Sequence, residues 1–161
     1  MVLAVLFSVS SSSYALPCQS VIEVVPLLEL RRALSSPPWM AGDFAYRGAL
    51  VSVIDACVFL GGYTCSRRLS SRLALVACAG DGEPRAQPRI WGIMGERMTA
   101  VRRLEGSELS TSADKSSYLG PVVKQGAQLV QIIDINGLIS AARAAAPVVA
   151  ILSSGDADDP H

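Results

Sequence analysis

Two Ile-Asp steps carry the side chains best suited to chemistry. Val53-Ile54-Asp55 and Ile132-Ile133-Asp134 each end an apolar run in a carboxylate. Two such groups held together can share one proton, one acting as base and the other as acid, as in aspartic proteases. That arrangement needs a tight glycine turn directly after each Asp. Asp55-Ala56-Cys57 has no glycine, and Asp134-Ile135-Asn136-Gly137 places it one residue late. The simpler reading is that each Asp leaves a strand and caps a helical turn, accepting backbone N–H groups.

The other reactive residue types are sparse. Cys18, Cys57, Cys65 and Cys78 include no C-x-x-C pair, and the one histidine is His161, on an acidic tail. These spacings match none of the usual zinc ligand sets and no Ser-His-Asp or Cys-His arrangement. Scattered thiols read as small core hydrophobes in a reducing compartment. No glycine-rich phosphate loop, P-loop lysine or calcium loop occurs. Nothing in these residues points to an enzyme or to a metal site.

The elements around these residues must then form a packed body. The chain has 161 residues, enough for one domain or for two small barrels sharing a core. Half its residues are hydrophobic and only 17% are charged, which favours a globule over disorder. Fourteen basic and fourteen acidic side chains cancel, leaving no long-range field to recruit nucleic acid or anionic lipid. No apolar stretch is long enough for a transmembrane helix.

Strand signals dominate, at 2–9, 20–25, 49–55, 72–79, 90–94, 98–104, 119–124 and 129–134, separated by Gly, Pro, Ser and Asp clusters. The nearly all-apolar Leu73 to Cys78 reads as a strand covered on both faces. A loop follows from Gly80 to about Arg89. "GALVSVIDACVFL" at 48–60 resembles "GAQLVQIIDINGLI" at 126–139, and "YALPCQSVIEVVPL" at 14–27 resembles "WGIMGERMTAVRRL" at 91–104, at offsets of 79 and 77 residues. Near-equal offsets indicate duplication of a unit able to curl into a small barrel. The opening "MVLAVLFSVSSSSYALP" fits either a first strand or a signal peptide lacking its cationic start, since the first basic residue is Arg31. The second option would make the chain an exported, disulfide-containing β-protein with residues 1–15 removed. Cleavage after Ala15 would cut through the repeated unit.

The segment "SSPPWMAGDFAYRGALVSVIDACVFLG" at 35–61 is the most distinctive. Its Arg-Gly-x-Leu-Val-x-Val-Ile-Asp block resembles the signature of the CheW family of chemotaxis coupling proteins. "YALPCQSVIEVVPLLEL", "GIMGERMTAVRRL" and "YLGPVVKQGAQLVQIIDINGLIS" resemble the flanking family blocks in order, so the likeness spans residues 1 to about 140. The F-A-x-R-G and Y-L-G-P-V segments further resemble coupling proteins of surface-sensing, Wsp-type pathways. The resemblance implies an all-β fold of two SH3-like five-stranded barrels with short helical segments, roughly 1–68 and 69–140. Residues 141–161 would form a C-terminal helix and a flexible acidic tail. It also places residues 2–9 on the first strand.

As function, the resemblance implies a cytoplasmic, non-enzymatic adaptor without a cofactor. Its partners would be the regulatory domain of a CheA-type histidine kinase and the cytoplasmic tip of a methyl-accepting receptor, with no nucleic acid and no membrane insertion. Glu23 falls where the family has a receptor-contacting glutamate, and Arg47-Gly48 where it has its R-G motif. Val21 and Val24 would flank the same surface. An Arg offers a planar fork of donors to a partner carboxylate or carbonyl, and a Glu accepts from partner donors. The chain departs from the family at Asp43, usually apolar, and at Ala45-Tyr46 in place of Asn-Leu. Ser52 replaces Pro, Ala56-Cys57 replaces Leu-Arg, and Glu96 replaces Asp.

Overall fold

The computed structural model describes residues 2–78, 89–109 and 118–145. Most of the Gly80 to Arg89 loop and the tail beyond 145 lie outside the described residues. The strands are β1 (Val2–Val9), β2 (Ser12–Pro17), β3 (Val21–Pro26), β4 (Met40–Tyr46), β5 (Ala49–Asp55), β6 (Arg72–Cys78), β7 (Arg89–Leu104), β8 (Ser107–Leu109), β9 (Leu119–Gln125) and β10 (Gln128–Ile133). Helix α1 (Ala56–Gly61) follows β5, and helix α2 (Ile135–Ala145) follows β10. The fold is all-β with short helices, as the resemblance implies.

The strands form two sheets that share β7. Strands β3, β6, β7, β5 and β4 make one, in that order, through ladders that use residues 89–95 of β7. Strands β7, β1, β2, β10, β9 and β8 make the other, using residues 96–104. Neither sheet is drawn from one side of residue 68 alone. The sequence suggests separate strands at 90–94 and 98–104, whereas the backbone runs through as one. At the changeover, Arg97 adopts a positive φ of 50° and the β1–β7 register slips between Leu6 and Ser8. Such a bulge re-aims a strand without ending it. Gly95 makes room there, because a Cβ at that position would stand 2.7 Å from the Phe7 ring.

The duplication is visible in hydrogen bonds. The Asp55 N–H donates to the Trp39 carbonyl at 2.7 Å, and the Asp134 N–H to the Tyr118 carbonyl at 2.9 Å. Both pairs repeat at the 79-residue offset. The two parallel ladders correspond as well: Ser52 pairs with Trp91, and Gln131 with Tyr14. The closing strand of each half therefore lies against a strand of the other. Phe59 on α1 makes edge contacts with both Trp39 and Tyr118, at 6.5 and 5.1 Å between ring centres.

The main core gathers Phe7, Leu16, Ile54, Leu73, Ile93, Met98 and Ile133 with the inner faces of both helices. Each such side chain contributes about 1.5–3 kcal/mol through burial. Leu73, Ala74, Leu75 and Val76 are all fully buried, in keeping with their unbroken apolar run. Ala4, Val5, Phe7 and Val9 bury one half of β1, which is paired on both edges. Residues 2–9 are thus an internal strand of the sheet. Strands β2, β4 and β8 are absent from the sequence reading. Ser10 to Ser13 and Gly42-Asp43 carry turn-type residues, and tertiary pairing overrides that local preference.

Candidate functional site

Strands β4 and β5 join through Arg47-Gly48, a two-residue turn with φ of 47° and 79°. Positive φ at both centres marks a type I′ hairpin, whose twist matches that of the flanking strands. Gly48 adopts that conformation freely, and nothing lies within 4 Å of where its Cβ would be. Arg47 has no such freedom, since a β-carbon in the left-handed region costs about 1–2 kcal/mol. Its side chain is exposed.

The Arg47 guanidinium lies 5.0 Å from the centre of the Tyr46 ring, within the range of a cation–π contact. The Tyr46 hydroxyl in turn donates a 2.8 Å hydrogen bond to the Glu23 carboxylate. The structure therefore brings Glu23 and Arg47 to opposite ends of one tyrosine. The bond to Glu23 holds the phenol above its ordinary pKa, with a minor opposing effect from Arg47. Glu23 is exposed on β3, and Tyr46 is half-buried on β4. These are the outer strands of their sheet, so the contact ties its two edges together.

Val21 and Val24 are half-buried and pack against the main core, offering only part of their surface outward. An open groove runs beside the turn, lined by Tyr46, Arg47, Leu50, Arg89 and Trp91. Leu50 is 62% exposed there, a large apolar side chain turned to solvent. The sequence reading omits Tyr46, Leu50 and Trp91 from the site. Tyr46 stands out in sequence only as a departure from the family pattern, and its role depends on β3 meeting β4. Asp43, another departure, accepts a 3.1 Å ion-paired hydrogen bond from Arg31, and the two residues also pair through their backbones.

Both Ile-Asp aspartates act as caps. Asp55 is 2% exposed, and its Oδ1 accepts from the Cys57 and Val58 N–H groups at 2.9 and 3.3 Å. Its Oδ2 accepts from the Cys65 N–H at 3.1 Å. Burial raises its pKa, and the three N–H donors oppose that shift. Asp134 is exposed and caps α2 through the Gly137 N–H at 3.1 Å. Each carboxylate thus holds a local turn, Asp55 through three N–H groups and Asp134 through one.

Cysteines 18, 57, 65 and 78 are all free thiols. Cys57 and Cys65 are buried beside Asp55, and the donor atoms of the three lie within 4.8 Å of one another. The Cys57 thiol donates to Glu96 Oε1 at 3.5 Å, and the Ser66 N–H donates to the same oxygen at 3.0 Å. The neighbouring Cys65 thiol, burial and nearby negative charge raise the Cys57 pKa, with Tyr63 partly opposing them.

The family model described as the CheW-like domain matches residues 3–143. The fold is similar to the crystal structure of the scaffolding protein TtCheW from Thermoanaerobacter tengcongensis. That match has a TM-score of 0.72 at 20% sequence identity, covering 85% of this chain and 86% of the other. A comparison with curated proteins finds no match.

Proposed function

The chain belongs to the CheW-like domain family, and from that premise we propose that it couples methyl-accepting chemoreceptors to a CheA-type histidine kinase. It acts as a cytoplasmic adaptor and transforms no substrate. The observation that carries this reading is the Glu23–Tyr46–Arg47 chain beside an open, partly apolar groove. An arginine kept in a strained turn conformation and left facing solvent is poorly explained by stability alone. It is well suited to presenting a rigid fork of donors to a carboxylate or carbonyl of a receptor tip. Glu23 adds an acceptor at the other end of the same tyrosine, and Leu50 adds exposed apolar area to the groove. Four free thiols suit a reducing compartment.

The test is direct binding of the purified chain to a receptor-tip fragment and to a kinase regulatory fragment, each titrated separately. Saturable binding of both is expected. Arg47→Ala should weaken the receptor arm about tenfold, the loss expected for a charged hydrogen-bonding contact. Absence of binding to either fragment, by a folded protein, refutes the adaptor reading.

A further inference from the structure

We propose that Asp55, Cys57 and Cys65 form a zinc-binding site, with the Glu96 carboxylate beside Cys57. The three donors come from different places. Asp55 ends β5, Cys57 lies in the first turn of α1, and Cys65 lies in the segment leading to β6. Their seven-residue gap between cysteines is unlike a zinc-finger spacing, which is why the sequence alone does not mark them. Folding nonetheless gathers two sulfurs and a carboxylate oxygen within 4.8 Å of one another, all on buried residues. Donors of a tetrahedral zinc shell stand about 3.3–3.8 Å apart, given metal–ligand bonds of about 2.0–2.3 Å. Glu96 Oε1 lies 3.5 Å from Cys57 Sγ, next to the three donors rather than among them.

Charge favours the same conclusion. Among the described residues, neither Asp55 nor Glu96 is seen in an ion pair with a lysine or arginine. A buried carboxylate without a cation is costly unless fully hydrogen-bonded. Asp55 accepts three backbone N–H groups, while a carboxylate has about four acceptor positions, leaving one free. Two thiols together with carboxylate oxygens form a donor set suited to zinc rather than to magnesium or calcium, which take oxygen ligands alone. Binding of Zn²⁺ releases two protons to solvent, one from each thiol, and changes no oxidation state. The ion would fasten the segment around Cys65 to α1 and the end of β5.

The test uses the full, reduced, metal-stripped chain. Titration with Zn²⁺ against a chromophoric chelator should give one ion per chain, and the melting temperature should rise with free Zn²⁺. Substitution with Co²⁺ should produce a thiolate-to-cobalt charge-transfer band. Cys57→Ser and Cys65→Ser should each weaken that band and lower affinity, whereas Cys18→Ser should leave both unchanged. Glu96→Gln should lower affinity about tenfold. Should the buried cysteine variants fail to fold, the wild-type chain still decides through its zinc stoichiometry and the cobalt charge-transfer band, because burial already shields both thiols from alkylation. Cobalt binding without the charge-transfer band, or no binding at all, would overturn the proposal.

Discussion

Tyr46 on β4 donates its phenolic hydrogen to Glu23 on β3 across 2.8 Å, joining two strands that share no backbone ladder. This bond favours the neutral phenol, so Tyr46 keeps its proton above the ordinary value of 10.0. The folded state therefore holds that proton at pH values where the unfolded chain has lost it. The contribution to stability is present below the unfolded pKa and is lost as pH rises through the folded one. Burial also raises Tyr14 and Tyr63, so an ultraviolet titration should show late tyrosine ionisation in the wild type, of which one tyrosine's share moves earlier in Glu23→Gln. Superimposable curves would show that the contact does not persist in solution.

Arg47 separates binding from folding. Arg47→Gly removes both the side chain and the left-handed strain, since glycine adopts φ near 47° freely. Stability should stay level or rise by up to about 1 kcal/mol, the gain from lost strain being partly offset by a more flexible unfolded chain. Receptor-fragment affinity should fall as it does for Arg47→Ala. A parallel loss of stability would instead assign Arg47 to holding its own turn.

The two symmetry-related aspartates should differ in consequence. Asp55→Ala leaves three N–H donors of a buried cap without their acceptor and should cost about 3 kcal/mol in metal-free protein. Asp134→Ala removes one exposed capping bond and should cost about 1 kcal/mol. Urea denaturation with a chelator present measures both. Equal losses would mean that burial does not set the difference.

Gly95 and Phe7 meet where β7 passes between sheets. Gly95→Ala places a Cβ 2.7 Å from the ring and should destabilise by about 1–3 kcal/mol. Trimming the ring with Phe7→Leu should recover part of that loss in the double variant, a coupling readable from a double-mutant cycle. Strict additivity would place the strain elsewhere.

Much of this was legible in the sequence because it rests on local pattern. The apolar run at 73–78 marks a doubly covered strand, the Ile-Asp steps mark strand-to-helix caps, and their 79-residue spacing marks the duplication. Other features depend on distant chain segments meeting. Ser12 to Pro17 looks like a turn until β10 and β1 pair on either side of it. Residues 90–94 and 98–104 look like two strands because Gly95 and Arg97 interrupt the pattern, although the backbone bends there without stopping. Glu23 and Arg47 could be named from the family's motifs, but Tyr46, which links them, could not. The Asp55–Cys57–Cys65 group was hidden for the same reason: its members meet through a helix cap and a returning segment.

The reciprocal ladders, Ser52 with Trp91 and Gln131 with Tyr14, have a consequence for assembly. A chain of half this length with the same pairings would be complete only as a twofold dimer, each copy lending its last strand to the other. Covalent fusion of the two copies makes that exchange intramolecular, replacing dependence on concentration with a fixed effective one. The present molecule therefore keeps its architecture at any dilution.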